Sequence, residues 1–167
     1  VHNIRRPKPD DFEIKNAAEK IKSCKNPIII SGGGVFYSDA MEELGNFAIK
    51  HNIPVTQTVM GYSTMKRDHS HFLGPIGGLG GKAANNFAKK TDLAIAVGTK
   101  LADFTTGSWA NFENPDFGLV SLNITRHDAN KHLAQAVVGD AKVSLIELSN
   151  ALGTVSYTHL TLPTILR

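Results

Sequence analysis

Cysteine and long apolar runs are scarce in this sequence, and each scarcity excludes a class of protein. The single cysteine, Cys24, cannot form an internal disulfide, which excludes a small disulfide-stapled scaffold. The apolar runs are far shorter than the roughly 20 residues that a membrane-spanning helix needs, and a secretory leader is missing. We therefore expect a cytoplasmic protein without a membrane partner, in which Cys24 is a small half-buried hydrophobe near a helix end.

Clusters of one charge sign are also missing. The chain has 18 Lys and Arg against 15 Asp and Glu, a formal net charge of +3, and the basic residues are scattered. A surface that follows nucleic-acid phosphates needs several converging cations, so we expect no nucleic-acid partner. With 41% hydrophobic residues in 167, the chain can bury the core of one ordinary domain.

The standard nucleotide and metal motifs are incomplete. Gly32-Gly33-Gly34 follows an apolar run, but Tyr37 stands where a dinucleotide fingerprint needs its last glycine or alanine. The run at 54–58 ends in neutral polar residues where ribose recognition needs an acid, so nicotinamide binding is disfavoured. His69 and His71 could be metal ligands, but other ligands at a recognisable spacing are missing, and a surface loop is favoured.

The glycine-rich stretch 74–81 precedes a predicted helix at 82–91, yet it fails the P-loop template. Gly81-Lys82 is followed by Ala83, so the hydroxyl that would bind Mg²⁺ is missing. Backbone amides at a helix start can still hold an anion. We therefore keep a weak phosphate site as an alternative to the favoured interpretation, a tight crossover or domain-interface loop.

Short apolar runs alternate with helical patterns along most of the chain. The runs at 27–31, 54–58, 93–97, 117–124 and 136–140 predict strands. Helices are predicted from a cap at Asp10 or Asp11, from a cap at Ser38 or Asp39, at 82–91 and at 141–152. This alternation predicts an α/β fold, a doubly wound, mostly parallel and Rossmann-like sheet with helices on both faces.

The central run, Leu93 to Val97, ends at Gly98 and continues into a polar loop that closes at Trp109. Ligands and partners of open α/β sheets collect at the carboxyl ends of the strands, so this loop and the glycines at 32–34 are the candidate interface or pocket. An equally open alternative is that Phe104 and Trp109 simply cap the sheet. The candidate residues are Gly32, Gly33, Gly34, Gly98, Thr99, Phe104, Thr105, Thr106, Ser108 and Trp109.

Two of these segments carry a family resemblance. Gly32 to Ser38 and Gly98 to Trp109 resemble the central domain of thiamine-diphosphate-dependent enzymes, over about residues 3–152. Within that family, Asp103-Phe-Thr-Thr-Gly-Ser-Trp109 is most similar to the trihydroxycyclohexane-1,2-dione hydrolases of inositol catabolism. The resemblance implies an enzyme that hydrolyses the carbon–carbon bond of the dione to a 5-deoxyglucuronate. An acetolactate-synthase-like enzyme and a free-standing nucleotide- or CoA-binding module stay open as alternatives.

The resemblance also implies what this chain does not contain. Thiamine diphosphate and Mg²⁺ would be bound by flanking pyrimidine- and diphosphate-binding domains of the same enzyme, a homo-oligomer, and FAD is not expected. Gly139-Asp140-Ala141 only partly matches the Gly-Asp-Gly element of such a site. We therefore assign no catalytic, cofactor-binding or metal-binding residue here, and we expect this fragment alone to be inactive.

The two ends are predicted to lie outside the domain, which we place at residues 10–153. Residues 1–9 contain two prolines and are typical of an extended interdomain linker. Residues 154–167 are predicted to be a non-native tail, because residues 155–164 match a translated sequencing-adapter frame. Deleting residues 155–167 is expected to leave the thermal midpoint unchanged within about 2 °C.

Overall fold

The computed structural model describes residues 3–157, and within them a parallel sheet lies between two layers of helices. The helices are α1 (Asp11–Ser23), α2 (Gly33–Tyr37), α3 (Met41–His51), α4 (Lys82–Ala88), α5 (Asp103–Thr106), α6 (Arg126–Ala129) and α7 (Ala141–Leu152). The strands are β1 (Pro27–Ser31), β2 (Val55–Gln57), β3 (Phe72–Pro75), β4 (Leu93–Val97), β5 (Gly118–Asn123) and β6 (Gln135–Val138). Short 3-10 turns follow β2 and α6, at Val59–Gly61 and Lys131–Leu133. No helix among residues 3–157 is long and apolar enough to cross a membrane.

The sheet order is β3-β2-β1-β4-β5-β6, and every neighbouring pair is parallel. The predicted doubly wound α/β fold is therefore confirmed, with a sheet that is wholly parallel. The chain reverses its direction of winding between β1 and β4, which makes their carboxyl ends the topological switch point where ligands of such sheets collect. Gly32 follows β1 and Gly98 follows β4, so both predicted glycine positions lie at this point.

The two faces of the sheet bury separate cores, because successive side chains of a strand point to opposite faces. Ile29 of β1 packs into the larger core, under α1, α3 and α7. Its neighbours Ile28 and Ile30 pack into a smaller core with α4 and Leu101. Part of the second face is covered by the irregular chain between α5 and β5, where Trp109 and Phe112 lie against that core.

Several predicted elements have different bounds. The edge strand β3 was not predicted, because two of its four residues are Gly74 and Pro75, which weaken the strand pattern. The helix predicted from Ser38 or Asp39 begins instead at Met41, since Ser38 ends the short helix α2 and Asp39 has a left-handed φ of 52°. The helix predicted at 82–91 ends at Ala88.

The apolar stripe of α1 was also predicted with one error. Phe12 is 70% exposed, whereas Ile14 lies in the core beside the correctly predicted Ala17, Ala18 and Ile21. Asp10 caps this helix by accepting a hydrogen bond from Phe12 N at 2.8 Å. The cap fixes the start of the helix, and the helical period from there turns Phe12 toward solvent.

The predicted linker, in its described part, is extended and attached to the domain. The Arg6 guanidinium binds the Asp140 carboxylate at 3.0 Å, and Asp140 N donates to Pro7 O at 2.9 Å. Nearby, Glu13 Oε2 accepts a hydrogen bond from Val138 N of the edge strand β6 at 2.7 Å. Residues 3–9 therefore follow a defined path along the end of β6.

The chain after Gly153 was expected to stay outside the core, and for its described residues this is wrong. Tyr157 is buried against the larger core, and its hydroxyl donates to Ile21 O. Asn52 Nδ2 donates to Tyr157 O at 2.5 Å, and His51 Nδ1 donates to Val155 O at 2.6 Å. A tyrosine that follows α7 can fill the gap between the ends of α1 and α3, whatever its origin. Residues 1–2 of the predicted linker and 158–167 of the predicted tail lie outside the described residues.

Candidate interface at the carboxyl edge of the sheet

The switch point is closed by direct backbone contact between the turns that follow β1 and β4. Gly32 N donates to Val97 O at 2.9 Å, and Gly34 N donates to Gly98 O at 3.0 Å. A Cβ on Gly34 would lie 2.6 Å from Gly98 Cα, and Gly98 itself has a φ of +61°. These glycines are therefore needed for close packing and for a left-handed turn, and they bring the two turns into van der Waals contact.

A groove of about 540 Å³ runs over these turns along the carboxyl edge. Gly33, Gly34 and Gly98 form its floor, and Tyr37, Met60 and Phe104 are among its walls. Asn123, Ile124, Thr125 and Asp128 line the part that follows β5. The groove therefore crosses the ends of several strands, as expected for the functional edge of an open α/β sheet.

The loop after β4 is anchored to the smaller core by Leu101. This residue is 3% exposed, belongs to the smaller core and has a left-handed φ of 50°. Leu101 N donates to Thr99 Oγ1 at 3.3 Å, and Asn123 Nδ2 donates to Thr99 O at 3.3 Å. With Leu101 buried and Thr99 hydrogen-bonded to β5, the exposed Phe104 in α5 is presented on a fixed backbone.

The glycine-rich stretch 74–81 supports this loop from the other side. Gly78 N donates to Phe104 O at 2.9 Å, and Gly77 N donates to Asn85 Oδ1 at 3.0 Å. Gly80 N and Gly81 N donate to Gly77 O and Pro75 O. Because these amides already have partners, they are not available to an anion, and the predicted crossover loop is favoured over the phosphate site.

The structure brings together most, though not all, of the ten candidate residues. Gly33, Gly34, Gly98, Thr99, Phe104 and Thr105 line the groove, and Gly32 packs directly beneath it. Thr106 is fully buried, with its Oγ1 accepting from Trp109 N, and Trp109 packs against Phe112, Phe117 and His132 on the second face. Ser108 is exposed and does not line the groove. For Trp109 the alternative interpretation, a residue that covers the sheet, describes its position better.

Sequence reasoning missed several groove residues, above all Tyr37, Val59, Met60 and Asn123. Asn123 ends β5, lies next to the end of the run predicted at 117–124, and could have been found by the same carboxyl-edge rule that selected Thr99. Val59 and Met60 follow β2, where the rule applies equally. Their apolar character led to no assignment, because an exposed apolar side chain is visible only in the structure.

The carboxylate that lines the groove is a poor candidate for acid–base chemistry. The titratable side chains of the groove, among the described residues, are Tyr37, Lys100 and Asp128. The hydrogen bond from Lys131 is the main cause that holds the pKa of the Asp128 carboxyl below its usual range, and a hydrogen bond from Thr125 adds to it. An ionised carboxylate already bound by an ammonium and a hydroxyl is a poor general base.

Asp140 is unavailable to a metal or a diphosphate. One of its carboxylate oxygens accepts from Lys142 N, Val143 N and Arg6, and the other accepts from Ser38 Oγ at 2.6 Å. The side chain is 4% exposed. This carboxylate caps α7 and binds the incoming chain, so Asp140 does not fit as a ligand in a thiamine-diphosphate and Mg²⁺ site. Among residues 3–157 no group of three or more His, Cys, Asp or Glu is placed to hold a metal.

Cys24 and His71, two further side chains considered in the sequence analysis, lie in environments typical of structural residues. Burial raises the pKa of the Cys24 thiol to about 11, consistent with the predicted half-buried hydrophobe. His71 Nε2 pairs with Asn52 Oδ1 at 2.9 Å, and burial lowers the pKa of this imidazole. Each of the two residues is therefore explained by packing at the opposite, amino edge of the sheet.

Comparison with known proteins identifies the family. Residues 14–148 match the model of the thiamine pyrophosphate enzyme central domain, and the chain belongs to that family. The resemblance of the glycine turn and the loop after β4 to this domain is confirmed.

Curated relatives of this chain include trihydroxycyclohexane-1,2-dione hydrolases, the group that the loop after β4 resembles. The chain is 44% identical over 157 residues to 3D-(3,5/4)-trihydroxycyclohexane-1,2-dione hydrolase of Clostridium perfringens. It is 43% identical over 157 residues to 3D-(3,5/4)-trihydroxycyclohexane-1,2-dione hydrolase 2 of Bacillus cereus. Both alignments cover 94% of this chain, which spans about a quarter of the length of the relatives, 25% and 24%.

Solved structures support the fold. Benzoylformate decarboxylase from Polynucleobacter necessarius superposes with a TM-score of 0.72 at 20% identity, covering 92% of this chain and 29% of that one. A protein from Mycobacterium smegmatis, named a putative thiamin diphosphate-dependent enzyme, gives the same TM-score and identity, with 92% and 30% covered. At this identity the similarity concerns the fold alone.

Proposed function

We propose that this chain is the central, non-catalytic domain of a thiamine-diphosphate- and Mg²⁺-dependent enzyme that hydrolyses trihydroxycyclohexane-1,2-dione. The observation that carries the proposal is the 44% identity over 94% of the chain to a relative named for that reaction. The proposed product is a 5-deoxyglucuronate, formed in inositol catabolism in the cytoplasm. The whole enzyme is proposed to be a homo-oligomer.

The chemistry is proposed to lie in the flanking pyrimidine- and diphosphate-binding domains, where the cofactor supplies carbanion stabilisation. Two observations on this chain support that division. The carboxylate that lines the groove, Asp128, is already bound by Lys131 and Thr125, and the Asp140 carboxylate is fully used in structural hydrogen bonds. FAD is not expected in this domain.

The part assigned to this chain is to present a rigid surface. Gly32, Gly34 and Gly98 lock the two central turns together. Thr99, Phe104 and Thr105 stand on those locked turns and face the groove. We propose that they contact a neighbouring domain or shape the approach to its active site. Thr106, Ser108 and Trp109 are proposed to act indirectly, since they hold the shape of that loop from behind or beside the groove.

The reaction is tested with the full-length enzyme of the source gene. The trihydroxydione and pyruvate are assayed side by side with thiamine diphosphate and Mg²⁺. We expect acid release from the dione and little acetolactate. Efficient acetolactate formation, with no acid from the dione, would leave the family assignment standing and reject the proposed substrate.

The free-standing nucleotide module is tested with the 167-residue chain. Calorimetric titration with ATP, ADP, CoA and FAD is expected to give no saturable heat, because the amides of the glycine-rich stretch are already bonded. Titration with thiamine diphosphate and Mg²⁺ is expected to give none either. Stoichiometric binding of any of these ligands would contradict the non-catalytic, structural role.

A further inference from the structure

Five large apolar side chains stand exposed around the groove at the carboxyl edge. They line one continuous depression. This carboxyl-edge patch consists of Tyr37 (73% exposed), Val59 (54%), Met60 (73%), Phe104 (55%) and Ile124 (53%). Single exposed apolar residues are ordinary, but a contiguous group of this kind marks a surface that contacts another molecule or domain.

The patch is held on fixed backbone. Thr58 Oγ1 accepts from Gly61 N at 2.9 Å and so closes the 3-10 turn that carries Val59 and Met60. That turn packs on the end of β1, since a Cβ on Gly61 would overlap Ser31 O. Phe104 O is bound by Gly78 N. A preorganised surface loses little conformational entropy on docking, which favours its use in a stable interface.

The path of the incoming chain indicates what covers the patch. Ile4 and Arg5 line a pocket of about 280 Å³ that shares Tyr37 and Ile124 with the groove. Directly after them, Arg6 donates to Ser38 O at 2.5 Å and to Asp140 Oδ1 at 3.0 Å. The chain segment before α1 is therefore clamped beside the patch, whereas Tyr157 lies at the opposite edge, near the end of α1.

We propose that the carboxyl-edge patch is the docking surface for the domain that precedes residue 3 in the same polypeptide. The inference deepens the proposed function and rests on it, because it takes this chain as one of several domains of a longer enzyme. The relatives, of which the chain spans about a quarter, have room for such a domain. The Arg6 clamp holds residues 4–6 beside the patch, where a chain that arrives from such a domain would pass.

The charged side chains around the carboxyl-edge patch indicate the chemistry of the surface that would dock on it. Arg5 and Lys100 border the patch, and neither takes part in an ion pair among residues 3–157. Asp128 is already paired with Lys131 at 2.7 Å. The complementary face therefore has an apolar centre and carboxylates opposite Arg5 and Lys100, an arrangement that orients the contact.

The test is hydroxyl-radical footprinting of the full-length protein. Oxidation of Met60, Tyr37 and Phe104 is compared with that of Phe12, a side chain of α1 that is 70% exposed and outside the patch. After correction for intrinsic reactivity, we expect the patch to be labelled at least tenfold more slowly than Phe12. Equal labelling would overturn the proposal, and so would shielding that disappears on hundredfold dilution, since that outcome indicates a second copy.

Two full-length variants make the test specific. Met60→Asp places a charge in the centre of the patch, and we expect it to restore rapid labelling of Tyr37 and Phe104. Phe12→Asp is the matched control and is expected to leave their shielding intact. Unchanged shielding in Met60→Asp would also overturn the proposal. The outcome is independent of the substrate assay, because shielding without dione hydrolysis rejects the substrate and hydrolysis without shielding rejects the docking surface.

Discussion

At the carboxyl edge of the sheet the turns meet through bare backbone, whereas at the amino edge they are joined by side chains. Gly34 and Gly98 approach each other closely at the first edge. At the second, the Asp92 carboxylate accepts hydrogen bonds from Lys25 N at 2.7 Å and Asn26 N at 2.8 Å. Asn26 in turn binds Lys90 O through its side chain at 2.9 Å.

The two edges differ in how their side chains are used. At the amino edge the side chains of Asn26 and Asp92 are used to satisfy the turns. At the carboxyl edge the turns after β1 and β4 are joined through glycine backbone, and the neighbouring Tyr37, Met60 and Phe104 face outward. This physical division supports the assignment of the functional surface to the carboxyl edge.

The largest expected effect on stability comes from breaking the backbone contact between Gly34 and Gly98 at the carboxyl edge. In Gly98→Ala the new Cβ would lie 2.6 Å from Gly34 Cα, on a residue whose φ is +61°. Overpacking and left-handed strain each cost about 1–3 kcal/mol, so we expect the free energy of unfolding to fall by about 3 kcal/mol or more. Urea unfolding of the 167-residue chain measures the change.

The control is Gly81→Ala. A Cβ at Gly81 meets nothing within 4 Å, and its φ of −74° suits any residue. Gly81 is the N-cap of α4, where alanine is disfavoured by roughly 1 kcal/mol, so we expect a loss well below that of Gly98→Ala. If both variants lost similar stability, close packing would not be the reason for glycine at position 98.

The second effect removes the clamp that ties the incoming chain to this edge. Asp140→Ala takes away the cap of α7 and the partner of Arg6 and Ser38. A lost cap costs about 0.5–2 kcal/mol and a broken charged hydrogen bond about 1.5–3 kcal/mol, so we expect a total near 3 kcal/mol. A double-mutant cycle with Arg6→Met separates the ion pair from the cap, and a coupling energy near zero would show that Arg6 is not held by Asp140.

A smaller effect concerns the amino edge. Deleting residues 155–167 removes Tyr157 from its site between α1 and α3. Burial of a large side chain contributes about 1.5–3 kcal/mol, so we now expect the thermal midpoint to fall by roughly 4–8 °C. The point variant Tyr157→Ser is expected to reproduce most of that loss.

If the thermal midpoint stays within about 2 °C of its original value after the deletion, the expectation that the chain after Gly153 takes no part in the core would hold. The separate hypothesis, that residues 154–167 derive from a sequencing adapter, concerns their origin and stays a prediction. The genomic sequence beyond Gly153 tests it directly. A native sequence there would supply its own residue for the site that Tyr157 occupies.

The smallest effect is the pH dependence of the same edge. Burial is the main cause that lowers the pKa of His51 below 6.5, and Lys50 adds to it, while the hydrogen bond to Val155 O opposes it. The unfolded chain therefore binds the proton more readily, so the stability that neutral His51 contributes is present above pH 6.5 and is lost as pH falls below it.

We expect the urea midpoint to be lower at pH 5 than at pH 7.5, and the difference to be smaller in His51→Gln. The measurement is the difference between the two pH shifts, because carboxylates elsewhere titrate in both proteins. An identical shift in the variant would show that His51 is not the group responsible.

The sequence was sufficient for the parts of the fold that depend on local pattern. Continuous apolar runs such as Leu93 to Val97 identify buried parallel strands, because both faces of such a strand are covered. β3 was missed because Gly74 and Pro75 resemble a loop, and its pairing with β2 is set by tertiary contacts instead. Phe12 was wrongly predicted to face the core, because an apolar pattern predicts the presence of a helix more reliably than it predicts which side chains of the helix are buried.

The site was predictable to the extent that it follows from topology. The rule that function collects at carboxyl ends selected Gly98, Thr99 and Phe104 correctly as neighbours of the glycines after β1. It could not place Trp109, because the backbone turns left-handed from Gly107 to Trp109, so the chain leaves the groove after Thr105 and Trp109 packs on the second face. The position of a side chain beyond such a turn depends on packing that sequence spacing does not encode.

The contact between Glu13 and β6 has a consequence for aggregation. An outer strand with free amides can pair with a strand of another molecule. Here the Val138 amide is taken by the Glu13 carboxylate at 2.7 Å, and Pro9 is packed against Gly139 just beyond the strand. At the other border of the sheet, β3 ends in Gly74, with a φ of +95°, and Pro75. Both borders are therefore poor templates for strand addition, which keeps copies of a wholly parallel sheet from joining edge to edge.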